Sequence, residues 1–80
     1  MNDLLERIEI NPGVMLGKPV IRGTRITVEI ILEKIAAGSS VEEVLADYPR
    51  LAAEDVRAAV AYARQALSTD EFIPRVHTGR

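Results

Sequence analysis

The 80-residue chain has no cysteine, no tryptophan, one phenylalanine, two tyrosines and one histidine. Without cysteine there is no disulfide framework, no thiol nucleophile and no thiolate metal site. The one histidine, His77, stands three residues from the end. A general base needs a fixed partner within hydrogen-bond reach, and a terminal tail supplies none. No apolar run approaches the ~18 residues that a membrane span requires. The opening "MNDLLERIEI" places Asp3 and Glu6 where a signal peptide needs cations. A cytoplasmic, prokaryotic-type protein is the expectation.

Excess positive charge is lacking too. Ten bases face twelve acids, for a net charge of −2, which argues against a uniformly basic nucleic-acid binder. The distribution is uneven, however. Residues 1–27 hold four bases against three acids, residues 28–67 four against seven, and residues 68–80 balance. The front is basic and the body acidic. Lys18, Arg22 and Arg25 lie in "GKPVIRGTRIT", a stretch with two glycines, a proline and no acid. Such a strip suits phosphate contacts that position a duplex without reading sequence. It equally suits a solvated strand edge that keeps the sheet from aggregating.

Residues 8–27 read as two or three short strands. Ile8 and Ile10 alternate with charged neighbours, "NPG" at 11–13 is a turn signal, and "VML" and "VI" are β-prone pieces separated by Gly17-Lys18-Pro19. From Thr27 the period changes to that of a helix. Thr27 is an expected N-cap, Val28, Ile31, Leu32 and Ile35 form one apolar face, and Gly38 is an expected C-cap. "SVEE" at 40–43 is a capping-box pattern, and the helix after it presents Val41, Val44, Leu45 and Tyr48 before Pro49. A third helix is expected from Ala53 to Leu67, burying Val56, Ala59, Val60, Ala63 and Leu67. The fold expected is mainly α: a three-helix bundle of helix-turn-helix type behind a short N-terminal β-ribbon. One domain over 1–67 and a loosely ordered tail over 68–80 complete the organisation. So small a core favours association, and a homodimer is expected.

Enzymatic readings fail on geometry. Glu42–Glu43 and Glu54–Asp55 are sequence neighbours, so on a helix they diverge by about 100°, and all four sit in first turns, where acids complement the helix dipole. "GKP" lacks the spacing and the hydroxyl of a phosphate loop. No cofactor, metal or small-molecule substrate is implied. In a helix-turn-helix the third helix would face DNA, yet its first turns offer alanines, Glu54 and Asp55, which neither read bases nor attract phosphate. Arg57 and Arg64, seven apart, share one face and suit backbone contacts. In the tail, "DEFIPRV" sets Phe72 and Ile73 beside Pro74 and Arg75. This is either a docking segment that orders on a partner or a piece that folds back on the bundle.

The stretch "INPGVMLGKPVIRGTRITVEIILEKIAAGSSVEEVLADYPRLAAEDVRAAVAYA" closely resembles the domain of unknown function 433 family, from about Ile8 to Leu67. The specific parts are "NPG", "GKPVIRGTRI", the "AG-S-EE" junction and "YPRL" followed by "EDV". The resemblance implies a β-ribbon before a homeodomain-like three-helix fold, and a VapB-type antitoxin paired with a PIN-like ribonuclease toxin. Phe72, Ile73 and Arg75 would then be toxin contacts, and Lys18, Arg22, Arg25 and Arg57 DNA contacts. A DNA-binding regulator without a toxin, or a structural module, are the alternatives. Ala52 departs from the Ser or Thr usual in the family before helix three, a loss worth about 1 kcal/mol of capping.

Overall fold

The computed structural model describes residues 3–69; the tail from Asp70 lies outside the described residues. A 3-10 helix, Asp3–Arg7, leads into β1 (Ile8–Glu9), and a compact turn region connects it to β2 (Val20–Ile21). The two strands pair antiparallel, with Ile8 opposite Ile21 and Glu9 opposite Val20. Three helices follow: α1 (Val28–Ala36), α2 (Val41–Asp47) and α3 (Ala53–Thr69). The architecture is the mainly α bundle with an N-terminal ribbon that the sequence pattern implies. One strand expectation fails. "VML" is not extended: Met15–Gly17 is a tight turn in which Met15, Leu16 and Gly17 all have positive φ (51°, 60° and 84°). The physical reason lies just before it. The Asn11 side-chain oxygen accepts from the Gly13 N–H at 2.8 Å, and the Asn11 carbonyl accepts from Val14 at 2.8 Å. The chain thus reverses before any ladder can form.

Local signals set the helix ends. The Thr27 hydroxyl accepts from the Ile30 N–H at 3.1 Å. Past α1, the Gly38 N–H bonds the Ile35 carbonyl and the Ser39 N–H reaches back to Lys34, both at 3.0 Å. Gly38 has φ +104°; these are the paired bonds of a Schellman cap, with a glycine in the left-handed position. Ser40 and Glu43 form a full capping box at 3.1 and 2.8 Å. Lys34 ties α1 to the end of α2 by a 3.0 Å contact to Asp47. The hydrogen bond to Asp47, reinforced by its charge, holds the Lys34 ammonium above its usual pKa.

The core gathers Ile21 from the ribbon, Val28 and Ile31 from α1, Val44 from α2, Leu51 from the α2–α3 turn, and Val56 and Ala59 from α3. The buried residues that α3 gives the core come from its first half, and Tyr62 of the second half packs against them. Val60 is 47 % exposed and Leu67 64 %, against the expectation that both are buried. At ~1.5 Å per residue, seventeen residues of α3 outrun the nine of α1 and seven of α2, which leaves Leu67 beyond them. Val60 lies within their reach, but there Val56 and Ala59 take the core face and Val60 stands beside it. Among the described residues, the N-terminal segment also packs along α3.

That crossing is fixed by one side chain. Asp55, 7 % exposed, accepts from the Arg7 guanidinium at 2.9 Å through one oxygen and from the Ala52 N–H at 2.8 Å through the other. The second bond is one half of a capping box, in which the acid of the first turn satisfies the Ala52 N–H; the side-chain acceptor of the other half is what Ala52 lacks. An Asp55→Ala variant loses both bonds, and is expected to be destabilised by about 2 kcal/mol, or on the order of 10 °C in Tm for a domain of this size. Thermal unfolding of D55A, R7A and the double variant checks it: the two single losses are expected to be clearly non-additive.

Candidate functional site

The turn after β2, residues 22–25, is exposed at Arg22, Gly23 and Arg25 and closely hydrogen-bonded. Ile21 and Ile26 close it through a backbone hydrogen bond at 2.9 Å, and Val20 bridges Thr27 across its base. Within it the Thr24 hydroxyl donates to the Ile21 carbonyl at 2.8 Å and accepts from the Ile26 N–H at 2.9 Å. Gly23 takes φ +80°, a conformation that L side chains adopt at a cost of about 1–2 kcal/mol. The turn is also pinned from outside, because Arg50, in the α2–α3 connection, donates to the Gly23 carbonyl at 3.2 Å.

Arg22 and Arg25 stand on this turn, and Arg50 is tied to it. Arg25 and Arg50 line one shallow cleft with Thr24, Gly23, Val14 and Glu9. Arg22 lines a different one with Asp3, Glu6 and Arg7. Arg22 and Arg25 are exposed and, among the described residues, make no ion pair. Lys18 differs: its ammonium lies 3.3 Å from Glu29, on the first turn of α1. The strip that holds no acid in sequence thus meets one in space, and its free charge is that of Arg22 and Arg25. Arg50 joins from 27 residues away; no local pattern announces it.

On α3 the placement is mixed. Arg57 and Arg64 are both exposed and lie on one face, as their spacing requires. Of the two acids in the first turn only Glu54 is exposed; Asp55 is spent on Arg7 and Ala52. The Ala52 N–H is therefore already occupied by a carboxylate and is closed to a phosphate. Phe72, Ile73 and Arg75 lie outside the described residues.

Two apolar features escaped the sequence reading. Leu16 is 93 % exposed at the tip of the left-handed turn, beside Met15 at 40 %. An open groove of about 460 Å³ runs between the N-terminal segment and the second half of α3, lined by Leu5, Ile8, Ile10, Tyr62, Gln65 and Ala66. Ile8 and Ile10 alternate as strand residues do, which was the available signal; that α3 overhangs its partner helices was not readable locally. Among the described residues no group of His, Cys, Asp and Glu side chains could hold a metal ion, and no helix is long and apolar enough to cross a membrane.

A small helical domain with a two-stranded ribbon and an arginine-bearing turn is thus defined. Residues 8–63 match the family described as Protein of unknown function (DUF433), and the chain belongs to that family. An uncharacterized protein of Sinorhizobium fredii, y4eO, is 42 % identical over 66 residues; the match covers 79 % of this chain but 30 % of that protein. The crystal structure of a DUF433 member from Anabaena variabilis superposes with a TM-score of 0.73 at 41 % identity, over 79 % of this chain and 62 % of that one. The domain accordingly spans less than a third of the y4eO sequence.

If Gly23 sets the arginine geometry, Gly23→Ala is expected to cost about 1–2 kcal/mol through its φ alone, since an added Cβ would meet nothing within 4 Å. Chemical denaturation measures the loss. Gly23→Asn, which tolerates the left-handed region better, is expected to recover part of it.

Proposed function

We propose that the protein is a binding module of the antitoxin kind, which meets an anionic surface of a PIN-like nuclease with Arg22, Arg25 and Arg50. The observation that carries the reading is the pinned turn itself. Two arginines without acid partners, and a third tied to the same loop, stand on backbone that is already ordered. Preorganised guanidinium groups are suited to carboxylates because they form paired, charge-assisted hydrogen bonds. A PIN-like nuclease gathers carboxylates to hold magnesium, so cations delivered there would neutralise it. Such a partner reconciles a basic face with a net charge of −2. The homodimer, the cytoplasmic location and the toxin contacts of Phe72, Ile73 and Arg75 belong to the same proposal.

Capture of the tagged protein from its native host tests it. A small nuclease is expected in near-stoichiometric amount, and the R22A/R25A variant, with unchanged Tm, is expected to lose it. Recovery of the chain without a nuclease, or a complex indifferent to the two arginines, would overturn the reading.

A second reading, DNA binding through a homeodomain-like helix-turn-helix, is favoured by the exposed Arg57 and Arg64 on one face of α3. Glu54 and the occupied Ala52 N–H weigh against insertion of the start of α3. Any contact would then run through phosphate, from the arginines of the turn and of α3. Each phosphate contact adds about 0.9 to the slope of log affinity against log salt. R22A/R25A is therefore expected to flatten that slope by about 2 if both arginines touch the duplex. Absent or salt-insensitive binding would remove this second reading.

A further inference from the structure

We infer that Leu16, at the tip of the left-handed turn, seats in the groove between the N-terminal segment and α3 of a second copy of this chain, and that the exchange is reciprocal. The inference specifies the homodimer named in the proposed function and rests on that part of the reading alone.

The knob is held out by its own backbone. Met15, Leu16 and Gly17 take φ of 51°, 60° and 84° in succession, a region that disfavours leucine and suits glycine. The turn is braced by the Val14 N–H on the Asn11 carbonyl at 2.8 Å, the Gly17 N–H on Val14 at 3.0 Å and the Lys18 N–H on Met15 at 3.1 Å. Leu16 is 93 % exposed, so its side chain adds almost nothing to the core of its own chain. It is a large apolar group displayed on ordered backbone, and docking it costs little further ordering of the loop.

The hole is also uncovered. Leu5 and Ile8 face Tyr62 and Ala66 across an open volume of about 460 Å³, and Ile10, 57 % exposed, lines it as well. In a domain with so thin a core, knob and groove together leave a substantial apolar area in water. Covering both adds stabilisation in proportion to the area removed from water.

Their placement points to a second copy. Gly17 folds back on Pro12: a Cβ on Gly17 would stand 3.8 Å from the Pro12 Cα. Pro12 follows Ile10 by two residues, at most about 7 Å of chain. The foot of the turn is thus beside the groove, while the exposure of Leu16 shows that the tip does not fill it. A knob and a hole side by side on one surface can be exchanged about a twofold axis, each copy entering the other. One pairing then covers both features in both copies. A different protein would need a knob and a hole of its own to do as much. Charge favours the same pairing. The chain from Val14 to Thr27 holds Lys18, Arg22 and Arg25 and no acid. The 3-10 helix beside the groove exposes Asp3 and Glu6, neither of them ion-paired among the described residues.

Sedimentation velocity of the full-length protein over a range of concentrations tests the inference. A dimer is expected, and Leu16→Gly and Ile10→Glu are each expected to weaken it by about tenfold or more. At concentrations where the chain is monomeric, L16G is expected to keep or raise the Tm, because glycine relieves the left-handed strain. Mixing the two variants separates this arrangement from any other interface. The mixed dimer regains one intact contact, the Leu16 of I10E in the unaltered groove of L16G, so the mixture is expected to associate more tightly than either variant alone. A wild-type chain that is monomeric at every concentration would overturn the inference and leave the groove to some other occupant. A dimer indifferent to both substitutions, or no recovery on mixing, would overturn it too. The sample holds neither nuclease nor DNA, so failure here leaves the arginine surface standing. Loss of nuclease by an R22A/R25A protein that stays dimeric leaves the knob and groove standing.

Discussion

The fold turns on the carboxylate of Asp55. It is the one acidic side chain among the described residues that is buried, and its two oxygens serve two ends of the chain, Arg7 and the Ala52 N–H. A buried charge is tolerated only when it is paired and hydrogen-bonded. Here the pairing is also architectural. It closes the N-terminal 3-10 helix against the start of α3, and the same crossing lays β1 beside that helix. Ribbon and bundle thereby become one body in a chain whose apolar core alone draws on only a handful of large side chains.

Much of this was legible because it is local. The N-cap at Thr27, the capping box at Ser40 and Glu43, and the left-handed glycine at Gly38 each involve residues within five positions of one another. Sequence spacing determines such bonds almost completely. The failures share the opposite property. Asp55 reads in sequence as a dipole-complementing acid of a first turn, and its role depends on Arg7, 48 residues distant. Val60 and Leu67 fit the apolar period of α3 but stand in water, because periodicity reports a face and not what lies opposite it. Met15 and Leu16 have β-branched or aliphatic neighbours, yet the Asn11 turn in front of them decides the backbone first.

The arginine surface was half legible in the same sense. Arg22 and Arg25 could be named from a strip without acids, and both are exposed and unpaired among the described residues. Lys18 was grouped with them by proximity in sequence and is drawn aside by Glu29. Arg50 stands in the connection before α3, far from the strip in sequence; in the fold it reaches the Gly23 carbonyl and so belongs to the ribbon. A charge cluster is a property of the folded surface, and a linear strip samples it with one gain and one loss here.

Rigidity gives the turn its meaning for binding. Arginine side chains carry large rotamer entropy, and ordering them on contact costs affinity. That cost is unavoidable for the side chains but not for the loop beneath them. Thr24 ties the loop internally, Val20 and Thr27 close its base, and Arg50 holds its glycine from the opposite side. A partner of the proposed kind would therefore meet arginines whose Cα positions are already set. The same connection runs from α2 through Arg50 to the turn and through Leu51 into the core, so pressure on the arginines is borne by the bundle. A mobile loop with identical charges would attract the same partners at long range, where only charge matters. In the proposed function, a braced one would also present Arg22 and Arg25 from a fixed backbone to carboxylates or phosphates.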